Sequence, residues 1–197
     1  MDCISGDDHI RINNIGQPNR DIKLEKMLFN AIDRSDGRLI DLDIQGFGSD
    51  ELCSYFASRS CQLKRLRLAR CRNISARAVK EAFEKLSCLE ELELTDCPFQ
   101  NHKVITTVKF DKFGLISETH DDVEAFVIAG KLPELRRLHL TKSRLTNVGL
   151  MKILDACPHL RSLDLRDCFN LNLSQGNLRK RVYEQIKDIQ YLPYKFT

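Results

Sequence analysis

Apolar residues recur along this chain with one spacing: leucine, two variable residues, leucine, one variable residue, leucine. Four copies are strict, namely Leu63-Lys-Arg-Leu66-Arg-Leu68, Leu89-Glu-Glu-Leu92-Glu-Leu94, Leu135-Arg-Arg-Leu138-His-Leu140 and Leu160-Arg-Ser-Leu163-Asp-Leu165. A looser copy, Leu39-Ile-Asp-Leu42-Asp-Ile44, precedes them. The first leucines stand at 39, 63, 89, 135 and 160, so the steps are 24, 26, 46 and 25 residues. The long step is close to two ordinary ones and encloses a degraded copy, Ile105-Thr-Thr-Val108-Lys-Phe110. Alternate side chains of a strand face opposite ways. Leu66 and Leu68 therefore share one face, and Arg65 and Arg67 share the other.

One coil cannot cover its own leucine face. Stacked coils bury it as a continuous column, each touching only its neighbours. A period in the twenties with this spacing is the leucine-rich-repeat signature. It predicts an α/β right-handed solenoid with a parallel β-sheet on the concave side and helices returning over the convex side.

The return segments read as helices. After Ser75, a plausible N-cap, the apolar positions 79, 82, 83 and 86 fall on one helical face. Leu150, Met151, Ile153 and Leu154 repeat this after Thr146. Val123, Phe126 and Val127 follow the acidic pair Asp121 and Asp122, which suits the positive end of a helix dipole. Leu52, Tyr55 and Phe56 mark another helix. Each large apolar side chain so buried should contribute roughly 1.5–3 kcal/mol. Seven residues, 98 to 104, separate Cys97 from Ile105, too few for a turn and a helix, so a loop over 98–103 or a shortened coil is expected.

These patterns divide the chain into a disordered segment 1–19, an N-terminal capping helix 20–38, repeats over 39–175 and a C-terminal capping helix with tail, 176–197. The repeats should number about six, irregular near 98–118. Leu24, Met27, Leu28, Ala31 and Ile32 form the expected buried stripe of the first cap. Leu178, Val182, Ile186 and Ile189 lie at helical spacing in the second, with Arg179, Lys180, Arg181 and Lys187 among them. A solenoid end exposes core and needs such a cover. A basic helix can also meet nucleic acid or an anionic membrane, but Glu184 and Asp188 dilute its charge.

Composition narrows the function. A net charge of +3 is too small to make the whole molecule a polyanion binder. No run of eighteen apolar residues occurs, and the start, Met-Asp-Cys-Ile-Ser-Gly-Asp-Asp-His, lacks a secretory pattern. Cytoplasm or nucleus is the expected location, with no membrane partner. The 8 cysteines include no C-x-x-C pair and no zinc-finger spacing, so no metal site is expected. Cys71, Cys97 and Cys168 each follow the third leucine of a copy by three residues, and Cys157 precedes one. They are expected to pack as small hydrophobes, which suits a reducing compartment.

Cys157-Pro-His-Leu-Arg-Ser-Leu-Asp-Leu-Arg-Asp-Cys168-Phe-Asn resembles the cysteine-containing class of leucine-rich repeats. Further stretches resemble the plant F-box/leucine-rich-repeat proteins: Leu24-Glu-Lys-Met-Leu-Phe-Asn-Ala-Ile-Asp-Arg-Ser35, Phe47-Gly-Ser-Asp-Glu-Leu52, Leu145-Thr-Asn-Val-Gly-Leu150 and Asn177-Leu-Arg-Lys-Arg181. The resemblance implies a substrate-recognition domain of an SCF ubiquitin ligase, whose F-box holds a Skp-type adaptor while the repeats hold the protein to be ubiquitinated and degraded. An F-box opens with a Leu-Pro motif. The Leu-Pro pairs here are Leu132-Pro133 and Leu192-Pro193, far downstream. The chain is thus expected to be a fragment, a truncated product or a paralogue without an F-box. The Skp-type adaptor would bind only through an F-box upstream, and the alternative is a stand-alone interaction module.

The expected concave rows are Asp41, Arg65, Glu91 and Asp43, Arg67, Glu93, continuing through Thr107 and Lys109 to Arg137 and His139, then Ser162 and Asp164. They read either as a ladder of ion pairs supporting the sheet or as a ligand surface. The candidate partner-binding residues are Arg65, Arg67, Glu91, Glu93, Arg137, His139, Asp164 and Arg166. Arg137, His139 and Arg166 look less paired, which favours that end for a target protein. No phosphate-binding glycine loop, G-x-S-x-G or H-E-x-x-H occurs, and the histidines are scattered. No catalytic residue, cofactor or nucleic-acid partner is expected.

Overall fold

A computed structural model describes residues 8–14, 21–97, 110–111, 114–115, 122–174 and 176–192. Each strict leucine phrase forms a short strand and each return segment a helix. The elements are β1 (His9–Asn13), α1 (Asp21–Ser35), β2 (Asp41–Gln45), α2 (Asp50–Arg59), β3 (Arg65–Ala69), α3 (Ala76–Phe83) and β4 (Glu91–Thr95). Then come β5 (Phe110–Asp111), β6 (Gly114–Leu115), α4 (Val123–Lys131), β7 (Arg137–Thr141), α5 (Asn147–Ala156), β8 (Ser162–Asp164), α6 (Asn177–Gln185) and β9 (Asp188–Gln190). The main sheet has the order β1-β2-β3-β4-β7-β8-β9 and every pair in it is parallel. The fold is a leucine-rich-repeat solenoid, one helix crossing over between each pair of neighbouring rungs.

Register follows the leucines. Leu42, Leu66, Leu92, Leu138 and Leu163 stand side by side, as do Ile44, Leu68, Leu94 and Leu140. With the first leucines of each phrase they form a core sealed from solvent. At each strand entrance one carbonyl accepts two successive N–H groups. Ile40 O takes Lys64 N and Arg65 N at 2.9 and 3.0 Å, and Lys64 O takes Glu90 N and Glu91 N at 2.8 and 2.9 Å. Just past the strands the chain turns through left-handed residues, Arg70 (φ 55°), Asp96 (φ 51°) and Asp167 (φ 61°). The cysteine that follows each one points back under the preceding coil. Cys71 donates to Ile44 O at 3.5 Å, Cys97 to Leu68 O at 3.3 Å and Cys168 to Leu140 O at 2.8 Å. These thiols pack as small apolar groups and each also donates to a backbone carbonyl of the preceding coil. Burial pushes Cys168 up to about 12 and Cys157 up to about 11, so both stay protonated at neutral pH.

The convex side is pinned in the same serial way. Ser75 caps α3 by accepting from Ala78 N at 3.2 Å, and Thr146 caps α5 through Val148 N at 3.1 Å. Each cap is itself held by the previous coil, Ser75 by Asp50 and Thr146 by Asp122. Asn147 and Asn172 exchange bonds of 3.2 and 2.9 Å one coil further on.

Four expectations need correction. Residues 9–13 do not belong to a disordered segment: Ile10 and Ile12 are buried against Leu42 and Ile44, which makes β1 the first rung and α1 a crossover helix as well as a cover. In α1 Leu28, Ala31 and Ile32 are buried, whereas Met27 is exposed. At the other end α6 stops at Gln185, and Ile189 lies in β9 beside Leu163 instead of on the helix. On α4 the buried residues are Ala125 and Ile128 while Val123 and Phe126 face solvent.

Beyond these four, the step of 46 residues also departs from expectation. It holds no second rung, because β4 pairs directly with β7 and the leucines of the two strict phrases meet. Phe110 instead lies in a separate antiparallel pair, β5 with β6. The loop expected at 98–103 and the residues Ile105, Thr107 and Lys109 fall outside the described residues. No helix among the described residues is long and apolar enough to cross a membrane.

Candidate functional site

The outward residues of the sheet form two rows. One reads His9, Asp41, Arg65, Glu91, Arg137, Ser162, Asp188. The other reads Arg11, Asp43, Arg67, Glu93, His139, Asp164, Gln190. The first alternates in sign from Asp41 to Arg137 and the second from Arg11 to Glu93. All eight candidate residues lie on this face or at its edge: seven in the two rows, and Arg166 in the turn just after β8. Between Arg11 and Arg137 the face holds a shallow depression of about 350 Å³.

The rows are stitched together. Asp43 is almost fully buried at their centre. It takes Arg11 at 3.0 Å, Arg67 at 3.2 Å and the Gln45 amide at 3.0 Å. Arg67 also reaches Glu93 at 2.7 Å. Burial works against the Arg67 charge, but Glu93 and Asp43 outweigh it and raise the affinity of the guanidinium for its proton. Arg65 pairs with Asp41 at 3.0 Å and Arg137 with Glu91 at 3.2 Å. Exposed pairs of this kind contribute roughly 0.2–1 kcal/mol each.

The expectation that Arg137, His139 and Arg166 are less paired is wrong. Arg137 has Glu91, His139 Nδ1 lies 3.9 Å from Glu93, and Arg166 forks onto Asp164 at 2.6 and 2.9 Å. Asp164 is buried, which would push its pKa up. The bonds from the Arg166 guanidinium and backbone N–H prevail and hold it below the usual carboxylate range. Glu91 and Arg137, expected to flank Thr107 and Lys109, are direct neighbours.

Sequence reading missed the flanking rungs of this surface. His9 and Arg11 extend it at one end, and Asp188 and Gln190 at the other. A signal was present, since Ile186-Lys-Asp-Ile189-Gln-Tyr191 obeys the repeat spacing 26 residues after Leu160. Among the described residues no cluster of His, Cys, Asp and Glu is placed to hold a metal ion.

The face thus presents outward side chains of both signs, with the buried carboxylates Asp43 and Asp164 holding neighbouring guanidinium groups. The leucine-rich-repeat family model matches residues 131–154 and 156–168. F-box/LRR-repeat protein 23 of Arabidopsis thaliana is 42% identical over 178 residues, covering 85% of this chain and 39% of that protein. The chain is a leucine-rich-repeat solenoid related to the plant F-box/LRR-repeat proteins. The Arabidopsis F-box protein SKIP19 is 40% identical over 192 residues, 92% of this chain and 62% of that protein. The chain thus spans less than two thirds of the length of either. The solved complex of yeast Rad7 and Elc1 contains a chain of the same fold, with a TM-score of 0.57 at 18% identity over 84% of this solenoid and 38% of that chain.

Proposed function

We propose that this solenoid is the target-binding part of an F-box-type subunit of an SCF ubiquitin ligase. It would present a captured protein for ubiquitination and degradation without performing chemistry itself. The likeness to F-box/LRR-repeat proteins across the whole stack of coils carries this reading. The two ordered rows on the concave face support it, since solenoids use that face for binding. Arg65, Arg67, Glu91, Glu93, Arg137, His139, Asp164 and Arg166 would contact the target. A Skp-type adaptor would be engaged only if an F-box accompanies the repeats in the full gene product. The proposal places the protein in the cytoplasm or nucleus, where its free thiols stay reduced.

The test is capture from plant extract by the intact chain and by R65E/R137E, followed by ubiquitination of the captured protein with the full gene product. Loss of capture in the variant, with a convex Lys152→Glu control unchanged, is expected. Capture that survives both reversals would remove the concave face from the reading. Co-purification of the adaptor with the full gene product separates ligase coupling from a stand-alone module.

A further inference from the structure

The two concave rows nearly cancel their own charge. The row along the edge where the strands begin does not. Ile40, Lys64, Glu90, Arg136, Arg161 and Lys187 each precede a strand. They stack directly, each N–H from Lys64 onward donating to the carbonyl of the residue before it at 2.7 to 2.9 Å. Asp8 stands ahead of Ile40 in the same row, before β1; from Lys64 onward the charged members are four cations and one anion. Glu90 is shared between Lys64 at 3.1 Å and Arg136 at 3.4 Å. Beyond it the balance fails. Arg161 Nη1 donates only to the carbonyls of Pro158 and Leu160, both at 3.0 Å. Lys187 is exposed, and among the described residues neither it nor Arg161 has a carboxylate within ion-pairing distance. Both border a surface depression of about 490 Å³ between the last two coils.

We propose that this ledge docks an extended acidic segment of a partner protein across the starts of β3, β4, β7, β8 and β9. The inference rests on the reading that the solenoid captures a protein, and adds where and by what chemistry. Rungs lie about 4.8 Å apart, so the ledge spans roughly 19 Å, the reach of about six extended residues. The backbone carbonyls orient the Arg161 guanidinium and leave donors free for a carboxylate fork. The long stems of Lys64, Arg136 and Lys187 accommodate the mismatch between rung spacing and peptide repeat. Nucleic acid fits less well. The ledge residues include no aromatic ring for base stacking, and Glu90 interrupts what would be a continuous phosphate track.

Fluorescence anisotropy with a labelled peptide of alternating Glu and Ser tests this on the full chain. Binding at about 50 mM salt that weakens as salt rises is expected. R161E/K187E should weaken it by about tenfold or more, and the milder R161Q/K187Q should weaken it less while keeping the wild-type circular dichroism spectrum. R65E/R137E should leave it unchanged. No binding at low salt, or equal binding by R161E/K187E, would overturn the ledge. Tighter binding of a single-stranded oligonucleotide, lost in the same variant, would overturn it in favour of nucleic acid. Failure here leaves the concave-face capture assay untouched, so the two readings fall separately.

Discussion

Asp122 caps a helix that is not its own. Its carboxylate accepts the backbone N–H of Thr146 at 2.8 Å and the Thr146 hydroxyl as well, across 24 residues of sequence. Asp50 does the same for Ser75 at 2.6 and 2.8 Å. Each coil therefore fixes the start of the next helix.

The two copies of this device differ in burial: Asp122 is 3% exposed, whereas Asp50 is exposed. Asp122→Ala should lower stability by about 1–3 kcal/mol, because two half-buried Thr146 donors lose a buried acceptor. Asp50→Ala should cost about 1 kcal/mol, since water replaces it. Urea melts measure both, and equal losses would refute the role of burial.

Gly149 gives a second, independent readout. A Cβ there would collide with an Asp122 carboxylate oxygen and approach Ala125 Cβ to 2.9 Å. Gly149→Ala should therefore destabilise by about 1–3 kcal/mol despite being a favourable helix substitution. Combined with Asp122→Ala its cost should shrink, a coupling that a double-mutant cycle detects.

Glu124 makes stability depend on pH. Burial pushes its carboxyl up to about 7, and the bond from the Ser143 hydroxyl at 3.1 Å only partly opposes this. The folded state thus holds the proton more tightly than the unfolded chain. Stability from this group is fully present below the unfolded pKa of 4.5 and is lost as pH rises through about 7. Glu124→Gln should flatten that fall, by about 1–2 kcal/mol between pH 5 and 8. Asp164 acts in the opposite sense. Its depressed pKa gives stability that is present above the ordinary aspartate value and lost in acid. Asp164→Asn should remove that acid-side component. Chemical denaturation across pH checks both signs.

The cysteines predict a labelling pattern. Cys61 and Cys88 are exposed, while Cys53, Cys71, Cys97, Cys157 and Cys168 are buried. Maleimide should modify Cys61 and Cys88 within the folded protein, and the five buried thiols only on unfolding, as read by peptide mass mapping. Cys168→Ala should cost about 1–2 kcal/mol through its cavity and the lost bond to Leu140 O.

Most of the solenoid could be read from leucine spacing because that spacing encodes the strand faces directly. The acid–base alternation of Asp41, Arg65 and Glu91 was equally visible, since register follows once the leucines are aligned. The terminal rungs were harder. Ile10 and Ile12 lack a first leucine, and Ile186 and Ile189 continue the helical spacing of Leu178 and Val182 although the helix ends at Gln185. The pairing of Arg137 and His139 was hidden because the sequence implied an intervening strand.

Sequence alone determined the unit: a strand with buried leucines, a packed cysteine beyond it, and a capped helix back. Those are local properties, governed by side-chain alternation and by backbone groups that need partners. Only the tertiary structure decided which units are adjacent. That choice depends on matching one coil's leucine column and open hydrogen-bonding edge to another's, across separations as long as the 46 residues between β4 and β7. It settled which charges face each other, and among the described residues it left Arg161 and Lys187 without a carboxylate in ion-pairing distance.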